Sequence, residues 1–141
     1  MIAYIDSSVL LRLALGQKPA LKEWKQVTHG VTSALAEVEC LRTLDRLRHA
    51  GHLDERAVAA RHDAVYRIME ALEVVEVTPA ILRRAAQPLA SPLGTLDSIH
   101  LATATLWRDE RDQTLVIATH DEALAAAART SGLRAIGDNP A

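Results

Sequence analysis

A chain of 141 residues, 49% hydrophobic and with a formal net charge of −2, suits a single packed domain over residues 1–141 and excludes a disordered or strongly basic protein. Only 3% of residues are aromatic and none is Phe, which argues against nucleic-acid recognition by rows of stacking rings. One cysteine, Cys40, rules out an internal disulfide, no apolar run approaches the length of a membrane span, and the start lacks the build of a secretion signal, so a cytoplasmic protein with no membrane association is expected.

Residues 1–5 read as a short buried strand. Ser7, or Asp6 itself, caps a helix running through Val9, Leu10, Leu11 and Leu13 to Gly16. Pro19 suits the first turn of a second helix through Trp24, and Val27 to Val31 is a weak strand. Thr32 or Ser33 caps a long helix to about Ala50, stopped by Gly51. Asp54 starts another helix to about Ala71, and the Val-rich run 72–77 is a strand. Thr78-Pro79 opens a helix reaching Ala86, residues 88–94 form a loop, and Thr95 caps a helix through Leu101, Ala104 and Trp107. Thr114 to Ala118 is a strand, His120 to Ser131 a helix ended by Gly132, and Leu133 to Ile136 a last strand. Strands alternating with helices imply an α/β fold with a mostly parallel sheet. The helical interval 33–71 is a hairpin covering one face or extending from it.

Four acids stand out against this frame. Asp6 ends the first strand, Asp121 follows the strand at 114–118, Asp97 opens an apolar helix, and Glu39 lies within a helix. Each aspartate has a capping role open to it. Their coincidence at one sheet edge is the functional argument, because ligands of open α/β sheets bind beyond the carboxyl ends of the strands. Carboxylates gathered there repel unless a cation or proton joins them, and a hard divalent metal points to phosphoryl chemistry. Capping cannot explain Glu39, whose other reading is a surface pair with Arg42; Glu37 competes with it, and helix periodicity does not choose between the two. Lys18, Lys22 and Lys25 form one basic cluster and Arg42, Arg46 and Arg48 another, read as solvated helix faces. His49 and His52 lack the further ligands of a zinc site, and His100 reads as a packed core histidine. No Gly-rich phosphate loop or nucleophile elbow is present.

The segments Tyr4-Ile5-Asp6-Ser7-Ser8, Ser33 to Arg42, Leu96-Asp97-Ser98-Ile99-His100-Leu101-Ala102-Thr103-Ala104 and Ala118-Thr119-His120-Asp121 resemble, in order and spacing, the motifs of PIN-domain proteins. The VapC-type toxin ribonucleases of toxin–antitoxin pairs are the nearest in pattern. The resemblance implies a three-layer α/β/α fold around a central parallel sheet. It implies a catalytic, metal-holding set of Asp6, Glu39, Asp97 and Asp121, some acting through water, with Ser8 (beside Ser7) and Thr119 in support. The family's helical glutamate stands six residues after a capping serine and three before an arginine, which selects Glu39 over Glu37. His120 falls where the family varies and receives no role. The implied cofactor is Mg²⁺, with Mn²⁺ as substitute, and the implied partners are RNA, a VapB-type antitoxin and a second copy of the chain. Arg42 and Arg46 are then phosphate contacts, or pair with Glu39 or neighbouring acids. A receiver-like module, the alternative, usually carries an acid pair after its first strand and a late lysine; here Ser7-Ser8 follow Asp6 and every Lys precedes residue 26. A PIN-like scaffold that binds without cutting is a further alternative, against which the four intact acids argue.

Overall fold

The computed structural model describes residues 1–138, so the last three residues of the expected domain lie outside it. Five strands, β1 (Ile2–Ile5), β2 (His29–Ser33), β3 (Glu73–Val75), β4 (Val116–Ala118) and β5 (Arg134–Ile136), form one sheet in the order β3-β2-β1-β4-β5. Every pairing is parallel. The chain runs outward from β1 to β3 and then returns to lay β4 against the other side of β1. The point where the strand order reverses therefore lies between β1 and β4, and such points open a crevice at the carboxyl ends.

Six helices cover the sheet: α1 (Ser7–Leu15), α2 (Ala34–His49), α3 (Glu55–Glu70), α4 (Pro79–Ala85), α5 (Thr95–Arg111) and α6 (Glu122–Thr130). The twofold alternation of strand side chains decides which helix meets which residue. Ala3, Ile5, Val116 and Ala118 face a core completed by Val9 and Leu10 of α1, Ala36, Cys40 and Leu44 of α2, and Val65 and Met69 of α3. Tyr4, Val31 and Ile117 face the opposite core, with Leu101, Ala104 and Trp107 of α5 and Leu124, Ala127 and Ala128 of α6. α4 packs on α5. The helical hairpin is thus α2–α3, covering one face beside α1, and its turn uses Gly51 at φ +79°, a conformation that suits glycine.

Four local expectations give way. No helix forms after Pro19; only a 3₁₀ turn at Trp24–Gln26 appears. The Pro19 carbonyl accepts a bond from Arg12 Nη1 at 2.9 Å, and Leu21 is buried in the core, so side-chain anchors outcompete helix formation there. The strand placed at 27–31 is displaced to His29–Ser33, because Val27 is taken up by the 3₁₀ turn, its N–H bonding Trp24 O. Gly94, not Thr95, is the N-cap residue of α5, with no side-chain cap bond. His120 lies ahead of α6, whose cap is Asp121. Among the described residues no helix is long and apolar enough to cross a membrane.

Candidate active site

Asp6 sits where β1 gives way to α1, in extended backbone at the N-cap position, yet its side chain makes no capping bond. It turns sideways toward β4 instead. Its Oδ2 accepts from Ser8 Oγ at 2.7 Å and from Thr119 Oγ1 at 2.8 Å. Ser8 Oγ in turn accepts from His120 N at 3.0 Å, and Thr119 Oγ1 from Asp121 N at 3.0 Å. These bonds join the carboxyl ends of β1 and β4. Asp6 is only 3% exposed, and its second oxygen, Oδ1, is buried without a hydrogen-bond partner. A buried carboxylate oxygen left bare costs free energy, so it marks a place where another group belongs.

Asp121 does cap α6, its Oδ1 accepting from Leu124 N at 2.9 Å, and it also lines the cavity described below. Capping and a site role coexist in that residue. Asp97 lies in the first turn of α5, where the helix dipole favours an acid. Burial, followed by the charges of Asp121 and Asp6, pushes its pKa up to about 6, with Glu39 adding to the rise and His100 opposing it. The direction of that shift is what carboxylates lining one cavity impose on each other.

Glu39 does not make the surface pair with Arg42 that its spacing allowed. Arg42 Nη1 instead meets Asp45 Oδ2 at 3.1 Å, and Glu39 is hydrogen-bonded to His100 Nε2. His100 is fully buried, as a core histidine would be, but it is polar-bonded on both sides: its Nδ1 lies 2.6 Å from the Tyr4 hydroxyl. The reading of His100 as packing alone is therefore corrected. Its position one helical turn after Asp97 puts both on one side of α5, a spacing that packing and a site role share. Tyr4 was missed because a hydroxyl within an apolar strand reads as core. Burial, then the Asp6 charge, raises the Tyr4 pKa and keeps the phenol protonated.

One cavity of about 410 Å³ brings together Asp6, Ser8, Glu39, Arg42, Arg46, Asp97 and Asp121, with Leu11, Leu35, Val38, Cys40, Thr43 and Leu96 among its apolar and neutral walls. All four predicted acids and both predicted arginines are there. Thr119 is buried behind Asp6, and Glu37 is not part of the lining. Arg46 donates to the Thr43 hydroxyl at 2.9 Å. His49 is the exposed last residue of α2, with Nε2 3.6 Å from Asp45 Oδ2.

The four carboxylates share the cavity without closing on a common centre. Among the described residues no three His, Cys, Asp or Glu side chains are arranged to hold one metal ion. Three of the acids are held by protein donors: Asp6 by Ser8 and Thr119, Glu39 by His100, Asp121 by the α6 backbone. Like charges repel unless one shared counter-charge draws them together, and each of these donors serves its own acid. The donor chemistry nonetheless fits a hard divalent cation. Every candidate ligand is a carboxylate oxygen, Asp6 Oδ1 is bare, and the nearby Cys40 thiol, its pKa pushed up to about 12 by burial and by Glu39 and Asp6, stays protonated.

Comparison with known proteins follows the same line. The family model described as PIN domain matches residues 3–130. Ribonuclease VapC46 of Mycobacterium tuberculosis (strain ATCC 25618 / H37Rv) is 32% identical over 137 residues, covering 94% of this chain and 95% of that protein. Among solved structures, PAE2754 from Pyrobaculum aerophilum superposes with a TM-score of 0.65 at 21% identity, over 98% of this chain and 85% of that one. A toxin–antitoxin complex from Klebsiella pneumoniae gives 0.64 at 18% identity, over 88% and 90%. VapC20 of Mycobacterium tuberculosis, a toxin that cleaves the sarcin–ricin loop, gives 0.55 at 20% identity, over 89% and 94%. At these identities the structural likeness bears on the fold alone.

Proposed function

The chain belongs to the PIN-domain family, and from that premise we propose that it is a metal-dependent endoribonuclease of the VapC toxin type, hydrolysing RNA phosphodiester bonds and neutralised by a cognate VapB-type antitoxin. The observation that carries this reading is the bare, buried Oδ1 of Asp6 beside a cavity that also takes in Glu39, Asp97 and Asp121.

Asp6, Asp97 and Asp121 would hold Mg²⁺ or Mn²⁺, directly or through water, and Glu39 would complete a second position or orient the attacking water. When bound, such an ion supplies a water of lowered pKa and offsets charge on the scissile phosphate. The protein's own work is positional. Ser8 and Thr119 hold Asp6 Oδ2 and so fix the carboxylate at the β1–β4 junction with Oδ1 left unbonded. Asp97, with its raised pKa, must lose a proton before it serves as a ligand. Arg42 and Arg46, one turn apart on α2 at the cavity wall, offer positive charge to phosphates flanking the cut.

The reading extends to a cytoplasmic protein of one domain that acts as a homodimer; light scattering of the purified protein tests the dimer. The activity test is cleavage of total RNA by antitoxin-free protein with Mg²⁺ or Mn²⁺, with EDTA, and beside Asp97→Asn. Discrete fragments that require the metal and vanish in the variant are the expected result. Equal cleavage in EDTA, or by Asp97→Asn, overturns the metal-dependent mechanism.

A further inference from the structure

We infer that His100, braced by Tyr4, is a positioning residue of this nuclease: it fixes the Glu39 carboxylate over the sheet edge and leaves Asp6 Oδ1 to a cation. The inference rests on the nuclease reading above and adds to it a residue outside the acidic set.

Geometry carries it. Glu39 comes from α2, on one face of the sheet, and His100 from α5, on the other. Their bond therefore bridges the two helical layers just beyond the strand ends. A carboxylate only accepts, so His100 Nε2 carries the proton of this bond. The same nitrogen is 3.7 Å from Asp6 Oδ1, beyond hydrogen-bonding range. His100 thus spends its one inward donor on Glu39, and Asp6 Oδ1 stays bare.

The ring cannot turn to change this allocation. Its far nitrogen is 2.6 Å from the Tyr4 hydroxyl, and the two rings meet edge to face with centroids 5.8 Å apart. Tyr4 is fully buried in the central strand of the sheet, and His100 is likewise without exposure. Glu39, by contrast, is a long side chain on a helix at the cavity wall, with no other side-chain bond among the described residues. Without His100 it would sample several rotamers. Outer-layer groups that orient a ligand or a general base act in this way in many sites.

A purely structural histidine predicts something different: any side chain of similar volume would serve, and activity would follow stability. The test compares His100→Gln, whose amide N–H reaches where Nε2–H lies, with His100→Leu, which fills space but donates nothing. Tyr4→Phe, Glu39→Gln and the double variant His100→Leu/Glu39→Gln complete the set. For each, melting temperature, kcat and KM on one defined RNA, and the Mg²⁺ dependence are measured. The expected result is a kcat lower by roughly 10–100-fold in His100→Leu with KM little changed, recovery of most of it in His100→Gln, and no further loss on adding His100→Leu to Glu39→Gln. Full kcat in His100→Leu, equal defects in the Gln and Leu variants at equal stability, or additive losses with Glu39→Gln would overturn the proposal.

A measurement on native histidine guards against variants that fail to fold. NMR of ¹⁵N-histidine-labelled, metal-free protein should reveal an exchange-protected proton on His100 Nε2 that shifts in Glu39→Gln and not in Glu37→Gln. Absence of that proton overturns the proposal as well. Wild-type protein that cleaves RNA beside an unaffected His100→Leu sinks the positioning role alone; wild-type protein that cleaves no RNA with any divalent ion removes the premise and the proposal together.

Discussion

Thr119 donates its hydroxyl proton to Asp6 Oδ2 at 2.8 Å across 113 positions of sequence, and the same hydroxyl oxygen accepts the backbone N–H of Asp121. One small side chain at the end of β4 thereby sets the angle of one acid and the backbone of another. A threonine is the right size for this because it is itself fully buried and its methyl packs where a serine would leave a void.

Thr119→Val keeps the shape and removes the hydroxyl. Asp6 Oδ2 then retains only Ser8, and Asp121 N loses its acceptor. Urea denaturation should register a loss of about 1–3 kcal/mol, the usual range for stranding buried polar groups. RNA cleavage should fall more than stability alone accounts for, measured at a temperature where the variant remains folded.

Glu37 and Glu39 separate sharply in the structure, since only Glu39 lines the cavity and meets His100. Glu39→Gln should lower metal-dependent kcat at least as far as His100→Leu does, to a residual rate still measurable in single turnover, and Glu37→Gln should leave it within about twofold, in the range of a change away from the site. A matched assay of both proteins on the same RNA decides the matter; the reverse outcome would unseat Glu39.

The Asp97 pKa of about 6 in the metal-free protein fixes a pH dependence. Its folded value exceeds its unfolded value of 3.8, so the folded state holds the proton longer. The Asp97 contribution to stability is therefore best below pH 4 and worsens as pH rises from about 4 through 6. His100 acts in the same sense at higher pH. Burial opposes charging its ring, but the Glu39 bond and the Asp6 and Glu39 charges prevail and raise its pKa, so its stabilising charge is lost as pH rises through that value. Added Mg²⁺ should raise the melting temperature at pH 7.5 and do so much less at pH 5, where a proton competes for Asp97. Thermal melts at both pH values with and without Mg²⁺ check this, and Asp97→Asn should flatten the metal-free trend between pH 4 and 6.

Arg46 and Arg42 share the cavity wall but not the same commitments. Arg42 is paired with Asp45, whereas Arg46 meets the neutral Thr43 hydroxyl. Arg46→Gln should consequently raise the apparent Kd for single-stranded RNA more than Arg42→Gln does. Its log–log salt slope should be shallower by about 0.7, the value of one lost phosphate contact on a single strand. Fluorescence anisotropy with a non-cleavable RNA at three or more salt concentrations measures both effects.

Much of this was legible in the residues. The apolar run before Asp6, the Ser33 cap and Gly51 stop around α2, the Asp54 cap of α3 and the Thr78-Pro79 start of α4 are local signals, and each element forms where its signal stands. The convergence of four acids was legible too, because parallel order brings strand ends together. Other features depend on tertiary partners. The stretch after Pro19 loses its helix to the Arg12 bond and the burial of Leu21. Arg42 chose Asp45 over Glu39 although both spacings suit a helix, since His100 had already taken Glu39. His100 on one helix reads as packing, and only the approach of α2 from the other side of the sheet gives its ring a hydrogen-bonded carboxylate.

The sheet order also has a consequence for the protein while it is being made. β1 gains its second neighbour, β4, only through residues 116–118, and the Thr119 bond to Asp6 comes one residue later. Asp121 is the last of the four acids to leave the ribosome. An emerging chain, or a fragment that stops before residue 116, can bury one flank of β1 against β2 but can neither orient Asp6 nor gather the acids. The cavity with its four acids is thereby an attribute of a chain that has reached β4 and Asp121, and a copy cut short of them carries its first three acids without the frame that brings them together.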